Sequence, residues 1–289
     1  MSDTAVTVRQ QVRATVRYVL PPAGEPLYKY YSGEPPPGTP ATNEIPDPHE
    51  VAIEDLRELE GGAQLDSHGF ELAGFESKVA DIYDPAERES VYGPEIEAFV
   101  KRLTGAKEVR AFNHFLRGDE AKRRDPTAIT YPAPFIHVDN THASGPYWFD
   151  AILGDEAEAF RGRRFAIINV WRPITGPLQD RPLALCDARS TEPQDFLISE
   201  SISYVDEKGV FSDTGQQSRT ELYSVAWNPR HRWYYAPAMQ TSEVLLIKCY
   251  DSETTGVSRF TPHTSFADPN APPNVLPRAS IEVRTLAIW

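Results

Sequence analysis

The run Arg164-Phe165-Ala166-Ile167-Ile168-Asn169-Val170-Trp171-Arg172-Pro173 places the tightest constraint on how this chain can fold. It is apolar almost without interruption, rich in β-branched and aromatic residues, and closed by a proline that cannot continue a strand ladder. Such a segment reads as a strand buried on both faces, so the rest of the chain must cover it from above and below. Further β-type runs recur at residues 182–187, 196–204, 218–226, 232–236, 243–250 and 280–288, with turn-forming residues between them. Short strands at that spacing point to an antiparallel barrel or jelly roll.

Upstream the pattern changes. Residues 12–20 alternate well enough for an edge strand. Residues 21–48 are crowded with proline and glycine around Tyr28, Tyr30 and Tyr31, so they read as an extended arm, without a regular element, that either wraps the domain surface or covers a site. Residues 47–60 and 83–103 read as helices. In the second, Asp84 and Pro85 are start signals, Val91, Ile96, Phe99, Val100 and Leu103 recur at helical spacing, and Gly105 is the stop. Residues 109–117 alternate like a strand and lead into a polar loop at 118–126, while 147–160 read as a helix. At 289 residues the expectation is one domain, 1–289, mainly β with flanking helices: a proline-rich arm at 21–48, helical support at 83–104 and a jelly-roll core at 109–289.

Composition narrows the function classes. A net charge of −13 would repel nucleic-acid phosphates, so no nucleic-acid partner is expected. Cys186 and Cys249 sit in apolar runs without any zinc spacing, which suits buried free thiols in a reducing compartment. No window is long and apolar enough for a signal core or a membrane span, so no membrane contact and a cytoplasmic location are expected. An acidic 32.4 kDa barrel is compatible with a monomer or a homodimer.

The stretch from Pro132 to His142 carries the candidate chemistry. It reads as a strand opening into a loop, and alternation along a strand puts His137 and Asp139 on one face. A His-x-Asp alone is a weak signal. Far downstream, however, stands His263, followed at 278 − 263 = 15 residues by Arg278-Ala279-Ser280. Two histidines and a carboxylate on one face of an ion, with open positions opposite, form the site of non-haem Fe(II) oxygenases. An Arg and a Ser on one strand face suit a carboxylate-bearing co-substrate. His114, alone among apolar neighbours, reads as a core residue, and His142 as a solvent-facing loop residue or a substrate contact. From the residues alone, three other readings stay open: a metal-dependent but non-oxidative isomerase or cyclase, a non-catalytic jelly-roll binding protein, and a zinc hydrolase using His137, Asp139 and His142.

Longer runs carry a resemblance. Asn169-Val170-Trp171-Arg172-Pro173-Ile174 with Gly176-Pro177, then Arg181-Pro182-Leu183-Ala184-Leu185-Cys186-Asp187, resemble the signature of a mostly fungal hydroxylase/desaturase family of secondary metabolism. That family is related to gibberellin desaturase and the cephamycin-pathway methoxylation component. Trp233-Tyr234-Tyr235-Ala236-Pro237, residues 243–252 and residues 277–284 extend the likeness, which runs from about residue 85 to the end.

The resemblance implies a double-stranded β-helix, the cupin-like jelly roll, with Fe(II), 2-oxoglutarate and O₂ as cofactor and co-substrates. It implies His137, Asp139 and His263 as iron ligands and Arg278 with Ser280 as the anchor for 2-oxoglutarate, with Arg284 as a rival anchor because of the 15-residue gap. Arg172 is expected either to reach the co-substrate or the substrate or to be a salt-bridged residue of the barrel. The substrate is expected to be a small, largely apolar natural-product intermediate, hydroxylated, desaturated or oxidatively cyclised, with contacts from Phe135, His142, Trp171, Trp233 and Tyr235.

Overall fold

Phe165–Pro173 is the middle strand of a five-stranded antiparallel sheet, and its side chains divide as burial on both faces requires. Ala166, Ile168 and Val170 pack into a layer with Tyr92, Ile96, Phe99 and Val100, while Ile167 and Trp171 face a second sheet. A computed structural model describes residues 11–31, 34–124, 128, 133, 135–205 and 216–289. Ser32 and Gly33 of the arm, Asp125 and Pro126 of the expected polar loop, and Pro132 and Pro134 of the expected His137 strand lie outside these residues.

The described strands are, in order, β1 (Gln11–Val19), β2 (Leu27–Tyr30), β3 (Pro46–Asp55), β4 (Phe70–Gly74), β5 (Glu108–Arg117), β6 (His137–Val138) and β7 (Phe165–Pro173). There follow β8 (Leu183–Cys186), β9 (Phe196–Val205), β10 (Gln216–Val225), β11 (Trp233–Tyr235), β12 (Glu243–Asp251), β13 (His263–Ser265) and β14 (Ser280–Ile288). The larger sheet has the order β1-β3-β11-β8-β13-β6-β10-β9-β2, and the smaller β4-β12-β7-β14-β5. The two sheets form a jelly roll with a shared core that includes Trp171, Leu185, Ile247 and Leu286. The larger sheet also curls, so that β1 returns over its outer face, where the Ile136 N–H donates to the Arg17 carbonyl at 2.9 Å. A separate core of Val16, Ile53, Cys186 and Trp233 fills that curl.

Several local expectations need correction. Residues 47–60 form β3 and a short 3-10 turn at Leu56–Glu58 instead of a helix. Val51 and Ile53 alternate inward while the segment pairs along the whole of β1, and that pairing outweighs the helix-like acidic composition. The arm contains a regular element after all: β2 pairs in parallel with β9 at the edge of the larger sheet. The expected polar loop includes a helix at Asp119–Arg124. The support helix begins where expected, with the Asp84 side chain capping the Ala86 N–H at 2.9 Å, and its main segment, Gly93–Thr104, ends at Gly105 with φ 71°. A π-type turn at Arg88–Tyr92 breaks its regularity. The helix expected at 147–160 is split into Ser144–Leu153 and Ala157–Phe160. Among the described residues, no helix is long and apolar enough to cross a membrane.

Candidate metal centre

His137 occupies a two-residue strand held between two neighbours. It stands opposite His263 on β13 and opposite Ser224 on β10. Side chains opposed across an antiparallel pair share a face, so the register itself brings the two imidazoles together. Their ring centroids are 4.5 Å apart. Asp139, two residues beyond His137, returns to the same face; its Oδ1 is 3.9 Å from His137 Nε2 and its Oδ2 is 3.7 Å from His263 Nε2.

Hydrogen bonds behind the rings fix which nitrogen faces the carboxylate. His137 Nδ1 is 2.9 Å from the Phe135 carbonyl, and His263 Nδ1 is 3.0 Å from the Thr261 carbonyl. A carbonyl only accepts, so each Nδ1 carries the proton and each Nε2 presents a lone pair toward Asp139. Burial, and then the neighbouring His263, pushes the His137 imidazole down to about 3, which keeps it neutral and able to bind a metal. The three ligand atoms lie within 4.8 Å of one another, a spacing that suits one ion. Two imidazoles and one carboxylate fit a 2-His-1-carboxylate Fe(II) site, with the other positions free for co-substrates.

Asp139 is held from the opposite sheet as well. Arg284 Nη2 donates to its Oδ1 at 2.7 Å and Asn169 Nδ2 to its Oδ2 at 2.6 Å; these two residues face each other on β14 and β7. Burial alone would raise the Asp139 carboxyl, but Arg284, with the hydrogen bond from Asn169, holds it well below the usual carboxylate range. Arg284 also stacks 4.6 Å above Phe115 and lies 3.4 Å from Glu282.

A narrow recess opens beside the triad, lined by His137, His263, Trp171, Arg117, Arg278 and Glu282 among others. Arg278 Nε lies 3.4 Å from Ser280 Oγ, its Nη1 donates to the Arg181 carbonyl at 2.8 Å, and its guanidinium sits 4.9 Å from the Trp171 ring. Burial, then Arg117, lowers Arg278 to about 9, so it stays largely charged at neutral pH.

Three expected contacts point elsewhere. Arg172 follows Val170 on the outward face of β7, where it stacks 4.9 Å from Tyr92 and donates to the Thr241 carbonyl at 3.0 Å. It therefore braces the helical layer and does not reach the recess. Trp233 and Tyr235 share the outward face of β11: Trp233 Nε1 donates to Tyr18 Oη at 2.9 Å, and Tyr235 packs edge-on against Phe266. Tyr234, between them, is the residue that joins the inner core. His142 is exposed and lies edge-on to Phe260 at 4.9 Å, while Phe135 contributes its carbonyl to the His137 hydrogen bond. His114, opposite Val283, faces the helical layer. Both cysteines are buried free thiols, with Cys249 Sγ 3.6 Å from Asp139 Oδ2.

Sequence reasoning missed Arg117, Glu282 and Asn169. Asn169 was findable as the one polar residue inside an apolar run, since a buried amide demands a partner. Glu282 follows from parity with Ser280. Arg117 needs the register of β5 on β14, which no local pattern encodes.

Residues 16–288 match the family model described as an oxidoreductase/YMDC permease-like domain. The hydroxylase/desaturase efuI of Hormonema carpetanum is 32% identical, over 83% of this chain and 83% of its own. The Fe(II)/2-oxoglutarate-dependent dioxygenase nvfI of Aspergillus novofumigatus is 31% identical, over 93% of this chain and 94% of its own. Among solved structures, the iron and alpha-ketoglutarate-dependent endoperoxidase NvfI superposes with a TM-score of 0.82 at 28% identity, covering 97% of this chain and 98% of that one.

Proposed function

Because this chain belongs to the hydroxylase/desaturase family of Fe(II)- and 2-oxoglutarate-dependent dioxygenases, whose curated relatives are fungal, we propose that it oxidises a small, largely apolar natural-product intermediate. The outcome is hydroxylation, desaturation or oxidative cyclisation. The observation that carries this reading is the convergence of His137, Asp139 and His263, each histidine presenting Nε2, at one end of a recess whose other end holds Arg278.

In this reading the three side chains hold Fe(II). Arg278 and Ser280 bind the distal carboxylate of 2-oxoglutarate, and Trp171 shields that end from water. Fe(II) with 2-oxoglutarate and O₂ supplies the oxidant; for hydroxylation the balance is R–H + O₂ + 2-oxoglutarate giving R–OH, succinate and CO₂. The chain's share is to orient the ligands and to hold one C–H of the substrate against the open side of the site. The net charge of −13 favours a small-molecule role over a nucleic-acid one.

The test is anaerobic. Adding Fe(II) and 2-oxoglutarate should give the weak visible charge-transfer band of the chelate, lost in His137→Ala and shifted to much higher 2-oxoglutarate concentration in Arg278→Ala. Iron binding without the band would instead favour a non-oxidative metal enzyme, and absence of iron binding would remove the triad as a metal site.

A further inference from the structure

The larger sheet ends at β2 and the smaller at β5, and these two edges are joined by a hydrogen bond in which Arg117 Nη2 donates to Tyr31 Oη at 3.0 Å. Arg117 closes β5 opposite Ser280, so its side chain lies on the interior face that also carries Ser280 and Glu282. It lines the same recess as Arg278, Trp171 and the two histidines.

Charge bookkeeping gives Arg117 a purpose. Arg284 pairs with Asp139 at 2.7 Å and more loosely with Glu282 at 3.4 Å, so it adds no net positive charge to the recess. What remains at the far end of the recess is Arg278, Arg117 and Glu282. Arg278 with Glu282 alone would be neutral and would not draw an anion out of water; with Arg117 the end carries one positive charge, matching one carboxylate. Arg278 has also spent Nη1 on the Arg181 carbonyl, whereas a carboxylate can accept about four hydrogen bonds. The lowering of Arg278, for which Arg117 is the second cause after burial, shows that the two guanidiniums sense each other.

The arm that carries Tyr31 is fastened on its other side too. Lys29 Nζ is 3.5 Å from Glu44 Oε1, which accepts from Ser199 Oγ at 2.9 Å and from Ser224 Oγ; Ser224 is the cross-strand neighbour of His137. Residues 29 and 31 thus grip opposite sides of the site.

We propose that Arg117 is a second guanidinium for the distal carboxylate of 2-oxoglutarate and that Tyr31 holds it there, which makes the N-terminal arm a wall of the co-substrate site. The inference rests on the co-substrate reading of the recess. Engagement of the carboxylate tightens the Arg117–Tyr31 bond and with it β2.

The experiment combines anaerobic titration of Fe(II)-loaded protein with 2-oxoglutarate, read by the visible band, and hydrogen exchange of residues 27–31 with and without 2-oxoglutarate. Arg117→Gln should raise the apparent Kd by ~10- to 100-fold, the loss of one charge-assisted contact. Arg117→Lys should fall between it and wild type. Tyr31→Phe, which removes one hydroxyl and leaves the fold intact, should raise the Kd by a few fold and abolish the slowing of exchange at 27–31 that 2-oxoglutarate causes in wild type. Wild-type affinity in Arg117→Gln and Tyr31→Phe, alongside loss of binding in Arg278→Gln, overturns this inference and leaves the proposed function standing. Failure of the wild type itself to form the band overturns both.

Discussion

Asp139 and Arg284 meet across the two sheets, Oδ1 to Nη2 at 2.7 Å, so the carboxylate at the centre of the triad is paired with a cation from the opposite wall. Both side chains are largely enclosed. The guanidinium thus neutralises Asp139 before any ion arrives, and this commitment places Arg284 apart from Arg278, which faces the recess.

Arg284→Met should therefore destabilise the metal-free protein by about 3–5 kcal/mol, the cost of a buried charge left alone. A bound divalent ion takes over the neutralisation, so Fe(II) or Co(II) should stabilise the variant more than it stabilises wild type. Urea unfolding with and without the ion reads both; equal stabilisation of the two proteins would show that Arg284 is not the counter-charge.

Trp171 and Trp233 should separate function from packing. Trp233→Phe loses its hydrogen bond to Tyr18 and should cost about 1 kcal/mol while leaving 2-oxoglutarate affinity unchanged. Trp171→Phe keeps the bulk beside Arg278 but alters the ring under the guanidinium, and should weaken 2-oxoglutarate binding. The reverse pattern in paired unfolding and ligand titrations would place the recess on the other face of β11.

His114 sets an acid limit. Burial, then Arg88, lowers it to about 4 in the folded chain, against about 6.5 when unfolded. The unfolded state takes up the proton first, so its stability contribution is present above pH 6.5 and lost as pH falls toward 4. The slope is at most about 1.4 kcal/mol per pH unit. His137, buried likewise, adds a second slope in metal-free protein. In metal-free protein, His114→Gln should flatten the fall without abolishing it; an unchanged slope in pH-dependent unfolding would contradict the buried-neutral assignment.

Gly145 lies three residues beyond His142, where an added Cβ would sit 2.4 Å from the Tyr250 ring. That ring is confined by Phe165 and Phe260. Gly145→Ala should cost roughly 1–3 kcal/mol. It should also weaken Co(II) binding, because the loop from Asp139 must shift; its Thr141 N–H is tied to Ser144 Oγ at 2.8 Å. A variant with wild-type melting and ion affinity would mean the loop yields freely.

What was legible in the sequence follows from the range of each signal. Period-two alternation put His137 and Asp139 on one face, and the order of His263, Arg278 and Ser280 added the rest of the set that the fold brings together. Trp233 and Tyr235 share a face by the same alternation, but three consecutive apolar residues do not say which face is inward. For Arg172 the answer was present: Asn169 and Trp171 look inward, so Val170 and Arg172 look outward. The strand at 46–55 stayed hidden because its acidic residues suit a helix surface and its partner lies in another part of the chain. Within the arm, prolines disguised four residues, Leu27–Tyr30, free of proline and glycine and therefore able to pair.

That short strand has a meaning for the protein's behaviour among its own copies. At the far edge of the larger sheet, β1 shows Arg13 and Arg17 on its exposed positions, charges that discourage a foreign strand from adding on. At the near edge, four-residue β2, with Lys29 in it, stands where ten-residue β9 would otherwise be the border, with Ile198 exposed on its surface. Removing the arm would exchange a four-residue border for a ten-residue one, and open that longer edge as a template for chain-to-chain β-aggregation.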